Sequence, residues 1–106
     1  MKIKGTNISM TRGDSESITV RCSEPFAAGD TVTMTVREDV ESEIVLQKNA
    51  TSFDENGAAV LAIEPGDTEG LEFGDYVYDI QIRWADGTVA TVLPVSRFHL
   101  EGEVTY

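Results

Sequence analysis

Residues 76 to 84 read Tyr-Val-Tyr-Asp-Ile-Gln-Ile-Arg-Trp, with a large apolar side chain at every second position. A period of two puts Tyr76, Tyr78, Ile80, Ile82 and Trp84 on one face of a strand, whereas a helix would scatter them around its circumference. Such a face is stable only under a second apolar layer. The segment therefore commits the chain to a layered β-fold, with itself as a central strand.

The same alternation recurs along the chain. Thr6, Ile8 and Met10 show it first, then Ile18, Val20 and Cys22, then Val32, Met34 and Val36. Ile44 to Lys48 reads as a short fourth strand, Ala59, Leu61 and Ile63 alternate up to Pro65, and Val89, Thr91, Leu93 and Val95 precede a closing Phe98 and Leu100. Turn-forming residues separate these runs: Arg12-Gly-Asp14, the stretch Ser23 to Asp30, the acidic connection Glu38 to Glu43, Asp54-Glu-Asn-Gly57, and Asp86-Gly87. Asn-Gly and Asp-Gly supply the positive φ of tight hairpins, so both are expected to join paired strands. Pro94 has no N–H to donate to a ladder and marks an edge or a bulge near the end of the strand that begins at Val89, before Phe98 and Leu100 close the series. Cys22 shares its parity with Ile18 and Val20 and is expected to be buried as a small hydrophobe.

One short helical turn is predicted near residues 66–71. Asp67 or Thr68 would cap it, Gly70 would close it in a left-handed conformation, and Leu71 would plug the core. Glu101 to Tyr106 reads as a terminal extension. Short strands at this spacing predict an all-β fold: an immunoglobulin-like β-sandwich of about seven or eight antiparallel strands, with residues 1–106 as a single domain. A chain of 106 residues in such a fold buries about 65% of its unfolded surface, enough for one core without disulfides or metal.

Charge limits the partners. Nineteen Asp and Glu stand against eight Lys and Arg, a formal charge of −11. A surface of that sign repels phosphate, so neither nucleic acid nor an anionic membrane is an expected partner, while a basic protein surface is a natural one. The single cysteine has no partner for an internal disulfide, and no apolar run approaches the ~18 residues of a membrane span. Met1-Lys-Ile-Lys-Gly5 does not read as a secretory signal, which implies folding in a reducing cytoplasm.

Several short patterns carry possible chemistry. Arg12-Gly-Asp14 matches an integrin-binding tripeptide, but Gly and Asp are also natural turn residues between strands. Asn7-Ile-Ser9 and Asn49-Ala-Thr51 fit the glycosylation acceptor pattern, which has no use in a reducing cytoplasm. The acid groups Glu38, Asp39, Glu41, Glu43 and Glu69, Glu72, Asp75 lack the regular ligand spacing of a calcium loop. Tyr76, Tyr78 and Trp84 share one parity and are expected in the core rather than on a sugar-binding platform. His99 and Cys22 lie in different alternating segments, and no Ser-His-Asp order with a nucleophile elbow is visible. The expectation is that the chain is not an enzyme, with no catalytic, cofactor-binding or metal-binding residues.

Pro65-Gly-Asp-Thr68, Leu71 and Gly74-Asp-Tyr-Val-Tyr-Asp-Ile-Gln81 carry a resemblance. With Arg12-Gly-Asp-Ser15 before the strand Glu16 to Val20, the Asp86-Gly87 hairpin and Phe98-His-Leu100, they make the chain similar, from about Ile8 to Thr105, to a family of immunoglobulin-like domains of tailed phages and prophages, including the N-terminal domains of baseplate upper proteins. These are scaffold residues. The resemblance implies a non-catalytic structural or assembly protein of a virion tail or baseplate, made in the bacterial cytoplasm, whose partners are other virion structural proteins or further copies of itself. The alternative is a module that recognises carbohydrate or a host-cell surface through its loops, with Glu38 to Glu43 and the Phe26 loop as the contact region. Asp79, of opposite parity to the tyrosines, is expected to face away from the core, toward a basic residue on a neighbouring strand.

Overall fold

The computed structural model describes residues 2–22 and 24–102, with the side chains of 2–4 and 92–94 outside that description. The elements run β1 (Lys2–Lys4), β2 (Asn7–Thr11), β3 (Glu16–Val20), β4 (Thr31–Arg37), β5 (Ile44–Ala50), β6 (Ala59–Ile63), α1 (Pro65–Glu69), β7 (Gly74–Arg83) and β8 (Val89–Glu101). Six strands form one sheet in the order β1-β2-β8-β7-β4-β5, and β3 pairs with β6 in a second. The inner face of the large sheet presents Ile8, Met10, Val32, Met34, Val36, Tyr76, Tyr78, Ile80, Ile82, Phe98 and Leu100. Ile18 from β3 and Ala59, Leu61 and Ile63 from β6 meet them. Each of these large side chains contributes roughly 1.5–3 kcal/mol by leaving water. This is the expected immunoglobulin-like β-sandwich.

Four features depart from the sequence expectations, each for a local reason. One junction is parallel: β2 runs alongside β8 from Ile8↔Phe98 to Thr11↔Glu101. Nearly the whole domain serves as the long connection that a parallel pair needs, because β2 hands the chain directly to the other sheet. Residues 89 to 101 form one strand rather than two. Its pairing with β7 shifts register between Tyr78 and Ile80 and again between Ile80 and Gln81, opposite the stretch that holds Pro94. The bulge absorbs the parity change that made two strands visible in the pattern.

The Asp54–Gly57 turn does not close a hairpin. β5 pairs with β4 and β6 with β3, so the turn carries the chain from one sheet to the other. Finally, Cys22 is exposed, since β3 ends at Val20 and the parity argument stops with the strand. By contrast Asp86-Gly87 behaves as predicted: Gly87 has φ +90°, the Trp84 N–H donates to Thr88 O at 2.8 Å, and β7 turns back into β8.

The two layers are unequal, and the molecule is correspondingly elongated, with a radius of gyration of 14.1 Å against about 13 Å for a compact chain of this length. The loops therefore finish covering the core at both ends, with Phe26, Phe53 and Leu71 packed against it.

Candidate interaction surfaces

At one end, the chain between β6 and β7 is fastened to the turn after β2. Asp67 Oδ2 accepts the Glu64 N–H at 2.8 Å and the Lys48 ammonium at 2.9 Å. Burial opposes ionisation of this carboxyl, but the two donors prevail and hold its pKa below the ordinary value. Thr68 is fully buried and its hydroxyl accepts the Gly13 N–H at 2.8 Å. Arg12 lies with its guanidinium carbon 4.1 Å from the centre of the Phe73 ring and donates to Leu71 O at 3.2 Å.

Four sequence expectations change, three of them here and one, Trp84, at the far end of β7. The cap of α1 is Glu64, with Asp67 reaching back to it from the first turn, and Gly70 ends the helix at φ −85°, right-handed. Leu71 and Trp84 are half-buried against the core rather than enclosed by it. The Arg12-Gly-Asp14 tripeptide is built into this junction: its arginine is stacked and hydrogen-bonded, not extended toward a receptor.

At the opposite end, three connections lock together. Asp30 is buried; its Oδ2 accepts the Ala27 N–H at 2.9 Å and its Oδ1 the Ala85 N–H at 3.0 Å, tying the β3–β4 connection to the β7–β8 hairpin. Phe26 is buried beside Phe53, ring centres 5.2 Å apart, and its N–H donates to Gly57 O at 2.9 Å. Gly57 has φ +73°, and a Cβ there would stand 2.2 Å from Pro25 Cβ. Both the conformation and the close approach require glycine. Asp54 Oδ1 accepts from Ala58 and Asn56, and these backbone donors lower its pKa. Phe26 itself is thus core packing, while Glu24, Pro25 and Ala27 to Gly29 of the same loop remain exposed.

The outer face of the large sheet is polar. Thr33 donates to Asn49 Oδ1 at 2.7 Å, Gln47 to Thr35 Oγ1 at 3.1 Å, and Gln81 to Thr91 Oγ1 at 3.5 Å, a set of cross-strand pairs on adjacent strands. Nearer one end, Ser9, His99 and Asp75 occupy matching positions on β2, β8 and β7. His99 Nδ1 is 2.6 Å from Asp75 Oδ1, but the Ser9 hydroxyl donates to Glu101 Oε1 at 3.2 Å, so the row is not wired as a nucleophile relay. Asp79 faces outward opposite Thr35, and among the described residues it forms no ion pair with a neighbouring strand.

Glu38 to Glu43 joins β4 to β5 and touches the rest of the molecule lightly. Arg37 donates to Ser42 O at 2.7 Å, Ser42 N–H to Asp39 O at 3.1 Å, and Glu41 N–H to Asp39 Oδ1 at 2.9 Å. That last bond lowers the pKa of Asp39. Glu38, Asp39, Val40, Glu41 and Glu43 are all exposed. Among the described residues, no group of three or more His, Cys, Asp or Glu side chains is arranged to hold a metal ion.

The resemblance residues prove structural where the geometry can be followed. Tyr76 donates to Glu72 O at 2.7 Å and Tyr78 to Thr6 O, so each ring is in the core with its hydroxyl satisfied. Burial raises both phenol pKa values. Sequence pattern located these anchors, whereas it missed Asp30 and the buried role of Thr68. Their partners, Ala27 and Ala85 for one and Gly13 for the other, donate through backbone N–H groups that carry no side-chain signature.

No protein-family model matches the chain, and no curated protein matches it. Among solved structures, it is similar to the crystal structure of CopC from Methylosinus trichosporium OB3b, at a TM-score of 0.56 and 14% identity over 94% of this chain and 89% of that one. At that identity the likeness is one of fold: this chain is a β-sandwich of the same general build.

Proposed function

We propose that this domain is a non-catalytic structural protein that works by protein–protein binding, as a tail or baseplate component of a phage or prophage. The phage setting is supported by the resemblance of the Asp67-Thr68, Leu71 and Gly74–Gln81 stretch together with its flanking motifs. The binding role is carried by one observation: polar residues at both ends fasten loops to each other, while apolar side chains stand in solvent on β8 and in the β4–β5 connection. Val40 is 65% exposed, Val95 55% and Val89 51%. The sheet also offers open backbone. β5 is its last strand on one side, and β8 pairs with β2 only from Phe98 onward, so that among the described residues no strand covers the outer edge of Val89 to Val95. Open edges of this kind recruit partner strands and loops.

A carbohydrate-recognition role has less to stand on, because Tyr76, Tyr78 and Phe26 are buried and Trp84 is half-buried. The test is affinity capture with the tagged chain from the encoding bacterium after prophage induction. Recovery of tail or baseplate proteins, weakening as salt is raised, is the expected result. Recovery of host metabolic proteins alone would overturn the phage reading.

A further inference from the structure

Three valines frame a small hollow over the outer face of the large sheet. Val77 on β7, Val95 on β8 and Val40 in the β4–β5 connection line a depression of about 70 Å³, with Arg37 and Asp79 at its margin. It opens into a broader groove past Glu38, Asp75 and Arg97 that shares Val77 and Val95 as its floor. The hollow has room for an aliphatic side chain and for little more. Acids border it: Asp79 lines the hollow and Glu38 and Asp75 the groove, with Arg37 and Arg97 the basic side chains among the described lining residues, and the connection that supplies Val40 carries the exposed Asp39, Glu41 and Glu43. Arg37 is already engaged, donating to Ser42 O at 2.7 Å.

We infer that this valine-floored hollow is a docking site for an extended basic segment of another protein, with an aliphatic side chain entering the hollow and flanking Lys or Arg side chains meeting the acidic rim. The inference rests on the protein-binding reading and assigns it a surface and a partner chemistry. Charge complementarity selects the occupant. A second copy docking face to face would oppose one acidic rim to another, in a chain of net charge −11, and a phosphate-bearing ligand would meet the same repulsion. A basic segment with an apolar anchor satisfies both the rim and the floor, in the usual division between central burial and peripheral charge.

The test is a titration of the full-length, isotope-labelled chain, followed by amide NMR shifts, with two lysine-rich peptides of equal charge. One carries paired leucines at its centre and the other serines in their place. The leucine peptide is expected to shift residues 38–43, 77–79 and 95–97, and to bind at least about tenfold more tightly than the serine peptide. Val95→Asp should abolish that preference. Val95 is half-exposed, so the variant should keep the wild-type melting temperature, which the same sample checks. Glu38→Gln with Glu41→Gln should weaken both peptides alike. Equal binding of the two peptides, shifts centred elsewhere, or no binding at about 0.15 M salt would overturn the inference. If the peptides fail while tail proteins are still captured, this surface is wrong and the assembly reading stands; if capture fails too, the assembly reading falls with it.

Discussion

The end of the sandwich built from residues 24–30, 51–58 and 84–88 and the connection formed by residues 38–43 are both polar loops, yet they are constructed in opposite ways. In the first, Asp30 and Phe26 are buried, Phe53 packs on Phe26, and Asp54, at the surface, accepts two backbone N–H groups. In the second, Arg37 of the adjoining strand donates to Ser42 O, Glu41 N–H donates to Asp39 Oδ1 within the connection, and the acids and Val40 face water. A carboxylate that accepts two backbone donors is a fastener. A carboxylate in water at the rim of an apolar hollow is free to meet a partner. The same residue types thus serve stability at one place and, in the proposed reading, recognition at another, according to what surrounds them.

That contrast can be broken by substitution, and the largest effect should come from Gly57. Gly57→Val combines a positive φ with a Cβ that overlaps Pro25, and should cost about 3 kcal/mol or more in denaturant unfolding. Asp30→Ala strands the N–H groups of Ala27 and Ala85 and should cost about 2–3 kcal/mol, with Asp30→Asn losing less because one acceptor oxygen remains. Thr68→Val keeps the volume but leaves the Gly13 N–H without its acceptor, for about 1–2 kcal/mol. Replacement of Glu38, Glu41 and Glu43 together by Gln should change stability by less than about 0.5 kcal/mol, as exposed sites do. If that triple variant unfolds as readily as Asp30→Ala, the two regions are not different in kind.

The acid limb of stability gives a further comparison. Asp39, Asp54, Asp67 and Asp86 all have folded pKa values below the ordinary carboxylate value. A depressed carboxyl contributes stability that is present above its unfolded pKa, near 4, and is lost as pH falls through the folded pKa. Stability should therefore decline below about pH 4. Asp67→Asn should flatten that decline in a urea titration repeated at successive pH values. An unchanged slope would mean that the Glu64 and Lys48 donors do not act on Asp67 in solution.

Much of the fold was legible because alternation survives wherever a strand has one wet and one dry face. Val32, Met34 and Val36, or Tyr76 through Ile82, needed nothing else. Legibility failed where the period is interrupted or where the signal is spatial. The bulge opposite Pro94 split β8 into two apparent strands. Lys2-Ile-Lys4 is too short to display a period, so β1 went unseen. Cys22 kept its parity beyond the end of its strand. The proposed interaction surface was only half visible: Glu38 to Glu43 stood out as a charged run, but Val40, Val77 and Val95 come from three separate segments and meet only when β7, β8 and the β4–β5 connection are assembled.

The most direct test sets the wild-type chain beside the Glu38→Gln, Glu41→Gln, Glu43→Gln variant. Both would be melted, and both used to capture tail proteins from the induced encoding bacterium at about 50 and about 300 mM salt. The account predicts matching melting curves, with capture by the variant at low salt reduced to the level the wild type retains at high salt. Equal capture by the two proteins, or loss of capture only together with loss of the fold, would contradict it.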